Sequence, residues 1–189
     1  MIHQWLTLLN KYASGKILIL LFMALIPFNL LIFPAMQMEL SRRALTSDAH
    51  MLDVQIGYTA EQALDEISQL GVQGKQWYRL ITWTADLVYP ALYSTFFALL
   101  LAFLLRVVSV TDSRFSLVPL VPFLMALMDY GENIAITVAL SAFSQPSEGI
   151  LALASVLSAL KWACGIVILL FVVLLLFYLL FRMLKKMER

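Results

Sequence analysis

Apolar and polar positions divide the chain into four long apolar runs and one polar stretch. The runs cover about 17–36, 80–105, 117–140 and 150–181. Each is long enough to cross a bilayer as a helix, which takes ~20 mostly apolar residues. Ahead of them, residues 1–15 interleave Trp5, Leu6, Leu8, Leu9 and Tyr12 with His3, Asn10 and Lys11. Such a lead either lies in the interface plane or frays as a terminus. The first run has no small-x-small cleavage site at Phe33-Pro34-Ala35-Met36, so it reads as a retained anchor. Pro27 and Pro34 predict kinks in it, and Asn29 is its one strongly polar interior residue.

The polar stretch is 37–79. Within it, Thr59-Ala60-Glu61-Gln62 matches a capping box, with Tyr58 placed to staple onto Ala63. Ala60, Ala63, Leu64, Ile67 and Leu70 then recur at helical spacing, and Gly71 is a stop. A short amphipathic helix over 60–70 follows, whose apolar face must rest on the ends of the spans. A second helix is expected to start near Gly74 and run unbroken into the second span. A loop with Thr111, Asp112, Ser113 and Arg114 separates spans two and three. A turn at 142–149 with Gln145-Pro146-Ser147 separates three and four. The expected fold is all-α: a four-transmembrane-helix bundle, one domain over 1–189, with a small extracytoplasmic helical cap between helices 1 and 2.

Composition agrees. The chain is 62% hydrophobic and 13% charged, about half the charged share of a soluble domain. Its mean hydropathy is +0.88. With a net charge of +1, it has no basic face for nucleic acid. Cys164 is the single cysteine, which excludes an intramolecular disulfide. His3 and His50 lie far apart, so no histidine zinc site, other metal or cofactor is expected.

Charge also sets an expected orientation. The lead, the Arg106–Arg114 loop and the tail with Arg182, Lys185, Lys186 and Arg189 are basic. Segment 37–79 holds Glu39, Asp48, Asp53, Glu61, Asp65 and Glu66 against Arg42, Arg43, Lys75 and Arg79. The positive-inside rule then puts both termini in the cytoplasm and 37–79 outside.

The chemistry lies inside the spans. Asp129-Tyr130-Gly131-Glu132-Asn133 sits within the third, where ionisable groups need partners or a task. Asp129, Glu132 and Asn133 share one helix face, as do Asp86, Tyr89, Pro90 and Tyr93 on the second span. The fourth offers a stripe of Ser155, Ser158, Lys161, Trp162 and Gly165, whose small members permit close helix approach. At ~1.5 Å per residue from the basic markers, Asn29, Asp86, Asp129, Glu132 and Lys161 reach similar heights, in the outer half of the membrane. One polar pocket follows, with Asp86, Tyr89, Asp129, Tyr130, Glu132, Asn133, Ser158 and Lys161 as candidate ligand-binding residues. Asp86 lies nearest the rim, where simple solvation is the plainest reading. Three carboxylates against one ammonium leave negative charge to be met by a proton, a cation or water. A Ser158–Lys161 nucleophilic dyad is possible in principle, but i+3 spacing on one helix is a common coincidence. No catalytic residue is assigned. Cys164 reads as a small core residue, and 166–181 as lipid-facing surface.

Two strings are familiar together. One is Leu52-Asp53, Gly57-Tyr58-Thr59-Ala60-Glu61, Leu70-Gly71, Gly74-Lys75 and Tyr78; the other is Asp86-Leu87-Val88-Tyr89-Pro90 with Asp129-Tyr130-Gly131-Glu132-Asn133. Over about 50–165 the chain resembles a group of uncharacterised bacterial four-span integral membrane proteins. The resemblance implies the four-helix layout with an external first loop, and no activity, ligand or catalytic residue.

Three functions fit these residues. A non-enzymatic membrane protein with a structural polar core, acting through partners or self-assembly, is the first. A transport or sensing protein, working as a homo-oligomer and binding a proton, cation or small ligand from outside, is the alternative. A lipid-modifying enzyme is the third. A dry, fully paired cluster favours the first, and an open cavity the others.

Overall fold

The computed structural model describes residues 2–109, 115–142 and 146–187. The chain is all-α, and four of its helical stretches are long and apolar enough to cross a membrane. This is the make-up of a polytopic membrane protein. The loop expected at Thr111–Arg114 and the middle of the 142–149 turn lie outside the described residues, as do the side chains of His3, Lys186 and Arg189.

Helix α1 spans Ile2–Tyr12. Leu9 and Ala13 are buried against Leu18, Ala98, Leu99 and Ala102. The Arg106 guanidinium donates to the carbonyls of Asn10 at 3.0 Å and Ala13 at 2.5 Å, satisfying groups left open at the end of α1. Trp5, Leu8 and Tyr12 stay exposed, consistent with an interfacial helix.

The first span is longer than expected. Helix α2 (Gly15–Pro27), one π-helical turn (Phe28–Ile32) and α3 (Phe33–Arg43) form one stretch of 29 residues. Residues 37–43, expected in the external segment, therefore continue the helix. The wide turn has a local cause. Pro34 has no N–H to give, and the Phe33 N–H reaches back five residues to the Phe28 carbonyl. Asn29 Nδ2 donates to the Leu25 carbonyl at 2.9 Å, so the distortion leaves that acceptor paired.

Helix α4 spans Ala60–Thr82 and begins with the expected capping box. Gln62 N–H donates to Thr59 Oγ1 at 3.1 Å, and Thr59 N–H donates to Gln62 Oε1 at 2.8 Å. Gly71 ends the first arm as expected, because its φ of 59° and ψ of −169° are not helical. The second arm resumes directly and does not run unbroken into the second span. It stops at Trp83 and Thr84, where the Thr84 hydroxyl donates to the Leu80 carbonyl at 2.6 Å. Helix α5 then spans Ala85–Val108. Helices α6 (Val121–Ser141) and α7 (Glu148–Met187) complete the chain.

Helices α5 and α6 are the most enclosed; α2 and α7 expose much of their apolar surface. The α6–α7 contact is the most extensive, and it is close. A Cβ on Gly131 would sit 3.2 Å from Leu157, and one on Gly165 3.2 Å from Met125. At the other end, Leu52, Tyr58, Ile67, Leu70, Tyr78 and Ile81 join Ile136, Leu140 and Leu151 in one buried cluster. The apolar face of α4 thus rests on the ends of α6 and α7, as its periodicity requires.

Candidate functional site

Lys161 is the hub. Its Nζ lies 3.1 Å from Asp129 Oδ1 and 2.6 Å from Glu132 Oε2, and donates to the Asp53 carbonyl at 2.8 Å. Those three partners come from α6 and from segment 44–59. Asp129 accepts a further bond from the Tyr93 hydroxyl at 2.9 Å on its second oxygen. Lys161 is 7% exposed, Asp129 5% and Glu132 0%, so the cluster is out of bulk water. It is not fully paired: Glu132 Oε1 and the Asn133 amide nitrogen are buried without a hydrogen-bond partner.

Segment 44–59 is fastened over this cluster. The Tyr78 hydroxyl accepts from Leu52 N–H at 2.8 Å and Asp53 N–H at 3.3 Å, and donates to Asp53 Oδ1 at 2.7 Å. Ser158 Oγ donates to the Gln55 carbonyl at 2.6 Å, and Tyr58 N–H donates to Ser155 Oγ at 3.0 Å. Gln37 on α3 holds the other side, donating to the Ala49 carbonyl at 2.8 Å. Burial in this joint raises the Asp53 carboxyl above its ordinary range, against the pull of Lys161 and Tyr78. Burial likewise raises the Tyr58 phenol.

Beside the hub lies a cavity of about 550 Å³. The π turn supplies Asn29, and α3 supplies Phe33, Pro34 and Gln37. Helix α5 supplies Asp86, Tyr89, Tyr93 and Phe97, while α6 and α7 supply Met125, Asp129, Lys161 and Trp162. Residues His50, Met51, Asp53 and Val54 close one side. The wall is mostly apolar and aromatic, with a few convergent polar groups, as ligand pockets are.

Of the eight sequence-derived candidates, Asp86, Tyr89, Asp129 and Lys161 face the cavity. Asp86 is 5% exposed, so it is not solvated at a rim as its position implied. Glu132 and Asn133 stand behind the wall, Glu132 on Lys161 and Asn133 beside Asp86. Tyr89 donates to Asn29 Oδ1 at 3.1 Å. Tyr130 turns away, donating to the Leu87 carbonyl at 2.9 Å between α6 and α5. Ser158 is spent on Gln55, and Lys161 Nζ on acids and a carbonyl, so the two form no nucleophilic dyad. Sequence reasoning missed Asp53 and Tyr78 as members, and placed Tyr93 on the right face of the second span without naming it a candidate. The buried stripe Gly74, Tyr78, Ile81 and Thr82 on α4 carried a signal for Tyr78 in its helical spacing. No protein-family model, curated protein or solved structure matches the chain.

Proposed function

We propose that this is a ligand-binding membrane protein, working in small-molecule transport or sensing through the cavity between α3, α5, α6, α7 and segment 44–59. The overall arrangement is a four-helix bundle with α4 and segment 44–59 as an extracytoplasmic cap. Both termini are cytoplasmic, as the basic lead and tail require. The observation that carries the reading is the cavity itself: about 550 Å³, in the size range of small-molecule sites, with a charged hub in its wall. A dry cluster serving only to register helices has no need of such a space. The excess of acids over the one lysine supports the same reading, because unbalanced buried charge calls for a proton or a bound cation.

The test is a thermal-shift screen of the purified protein against cationic, zwitterionic, neutral and anionic amphiphiles. Wild type is compared with Val54→Trp, which places a large ring at a cavity-wall position that is 54% exposed and therefore tolerant of substitution. At least one class should stabilise wild type and lose that effect in the variant. If no compound stabilises wild type more than it stabilises Val54→Trp, the cavity is not a binding site.

A further inference from the structure

Resting on that reading, we infer that the cavity takes an organic ammonium group carried on an apolar body, with Asp86 as its counter-ion. Three carboxylates face the space, and two are engaged. Asp129 is held by Lys161 and Tyr93, and Asp53 by Tyr78. Asp86 is the exception. It lines the cavity, is 5% exposed, and forms no ion pair among the described residues. Its polar neighbour is the neutral Asn133 amide. A buried carboxylate on a cavity wall, with only a neutral donor beside it, is suited to a cationic donor that arrives from outside.

The rest of the wall states what carries that donor. Phe33, Tyr89, Tyr93, Phe97 and Trp162 ring the space. Tyr89 meets Phe33 edge to face at 5.0 Å and Tyr93 at 5.3 Å. Aromatic faces attract an ammonium and accept a hydrocarbon body, whereas they solvate a phosphate or carboxylate poorly. An inorganic divalent ion is the weaker occupant, because no trio of His, Cys, Asp and Glu among the described residues converges as ligands would. An anion is weaker still, since Lys161, the one cation in the wall, already faces two carboxylates.

The ammonium could belong to a free lipophilic amine or to a lipid head group, and matched probes separate the two. Wild type, Asp86→Asn and Val54→Trp, in a nonionic maltoside, are titrated with decylamine, decanol and decanoate. Melting temperatures of the unliganded variants confirm folding; Asp86→Asn removes an unpaired charge and should not lower stability. Decylamine should bind wild type best. Asp86→Asn should weaken it by about 10- to 100-fold, the loss of one charge-assisted hydrogen bond, and leave decanol unchanged. Displacement of decylamine by phosphatidylethanolamine would assign the group to a lipid head; its failure would assign it to a free amine, and either supports the ammonium class. Equal binding of all three probes, weakened by Val54→Trp but not by Asp86→Asn, would overturn the ammonium while leaving the cavity a binding site. No binding sensitive to Val54→Trp would overturn both.

Discussion

Two residues, Lys161 and Gly71, show how little room the fold leaves at its critical points. Lys161 satisfies two buried carboxylates and one carbonyl at once. Lys161→Met strands both acids in a buried setting. It should cost about 3–5 kcal/mol, read as a lowered melting temperature in nanodiscs; an unchanged value would mean the acids are not held charged by the lysine. Gly71 sits at φ 59° and ψ −169°, a conformation open in practice to glycine alone. A Cβ there would also lie 3.0 Å from Leu45 Cγ. Gly71→Ala should therefore lose about 1–3 kcal/mol, and a melting curve matching wild type would contradict the kink. At this scale the sequence was informative about identity and weak about neighbours. Helical spacing put Asp129, Glu132 and Asn133 on one face, and intramembrane cost marked them. Nothing in the spacing could tell that the backbone of Asp53 reaches Lys161, 108 positions away.

Elements were legible where local chemistry dominates. The capping box at Thr59 and Gln62 is present atom for atom, because it depends on four consecutive residues. The π turn before Pro34 and the break at Thr84 were not foreseen. The π turn depends on which backbone acceptor an N–H selects next to a proline that has none to give, and apolar periodicity does not encode that choice. The Tyr78 phenol makes three of the bonds that hold segment 44–59. Tyr78→Phe removes the acceptor for two backbone N–H groups and the donor to Asp53, and should cost about 2 kcal/mol. Hydrogen exchange at Leu52 and Asp53 should rise in that variant; unchanged protection would show that other contacts hold the segment. The same joint gives a pH dependence. Burial raises the Asp53 carboxyl, so the folded state binds its proton more tightly than the unfolded state does. Its contribution is fully present below the ordinary range near 3.8 and is lost as pH rises through the raised value. Asp53→Asn imitates the protonated form. Its melting temperature relative to wild type should climb as pH increases from 4 to 8, and a constant difference would contradict the burial.

For the molecule as a whole, the apolar runs announced four spans, because spanning length and hydropathy are properties of the sequence itself. That α4 packs on the ends of α6 and α7 follows from its periodicity, but that segment 44–59 joins the same buried core only tertiary packing could reveal. Orientation is testable directly. In a Cys164→Ser background, Ser47→Cys should react with an impermeant maleimide on intact cells. Met187→Cys, 82% exposed near the far end of α7, should react only after permeabilisation. The reverse pattern would invert the topology and move the cavity to the inner half of the membrane.

The central claim is that the buried charges serve a binding cavity and are not kept for folding alone. The most direct measurement is the stability in nanodiscs of the triple variant Asp129→Asn, Glu132→Gln, Lys161→Met against wild type. Neutralising all three removes the two acids paired with Lys161 together with it, so the penalty of stranding Asp129 and Glu132 does not arise. A melting temperature equal to wild type or higher is the expected result, and it would mean that folding does not require the charges. A large loss of stability would contradict the claim and make the cluster a structural lock between α6, α7 and segment 44–59.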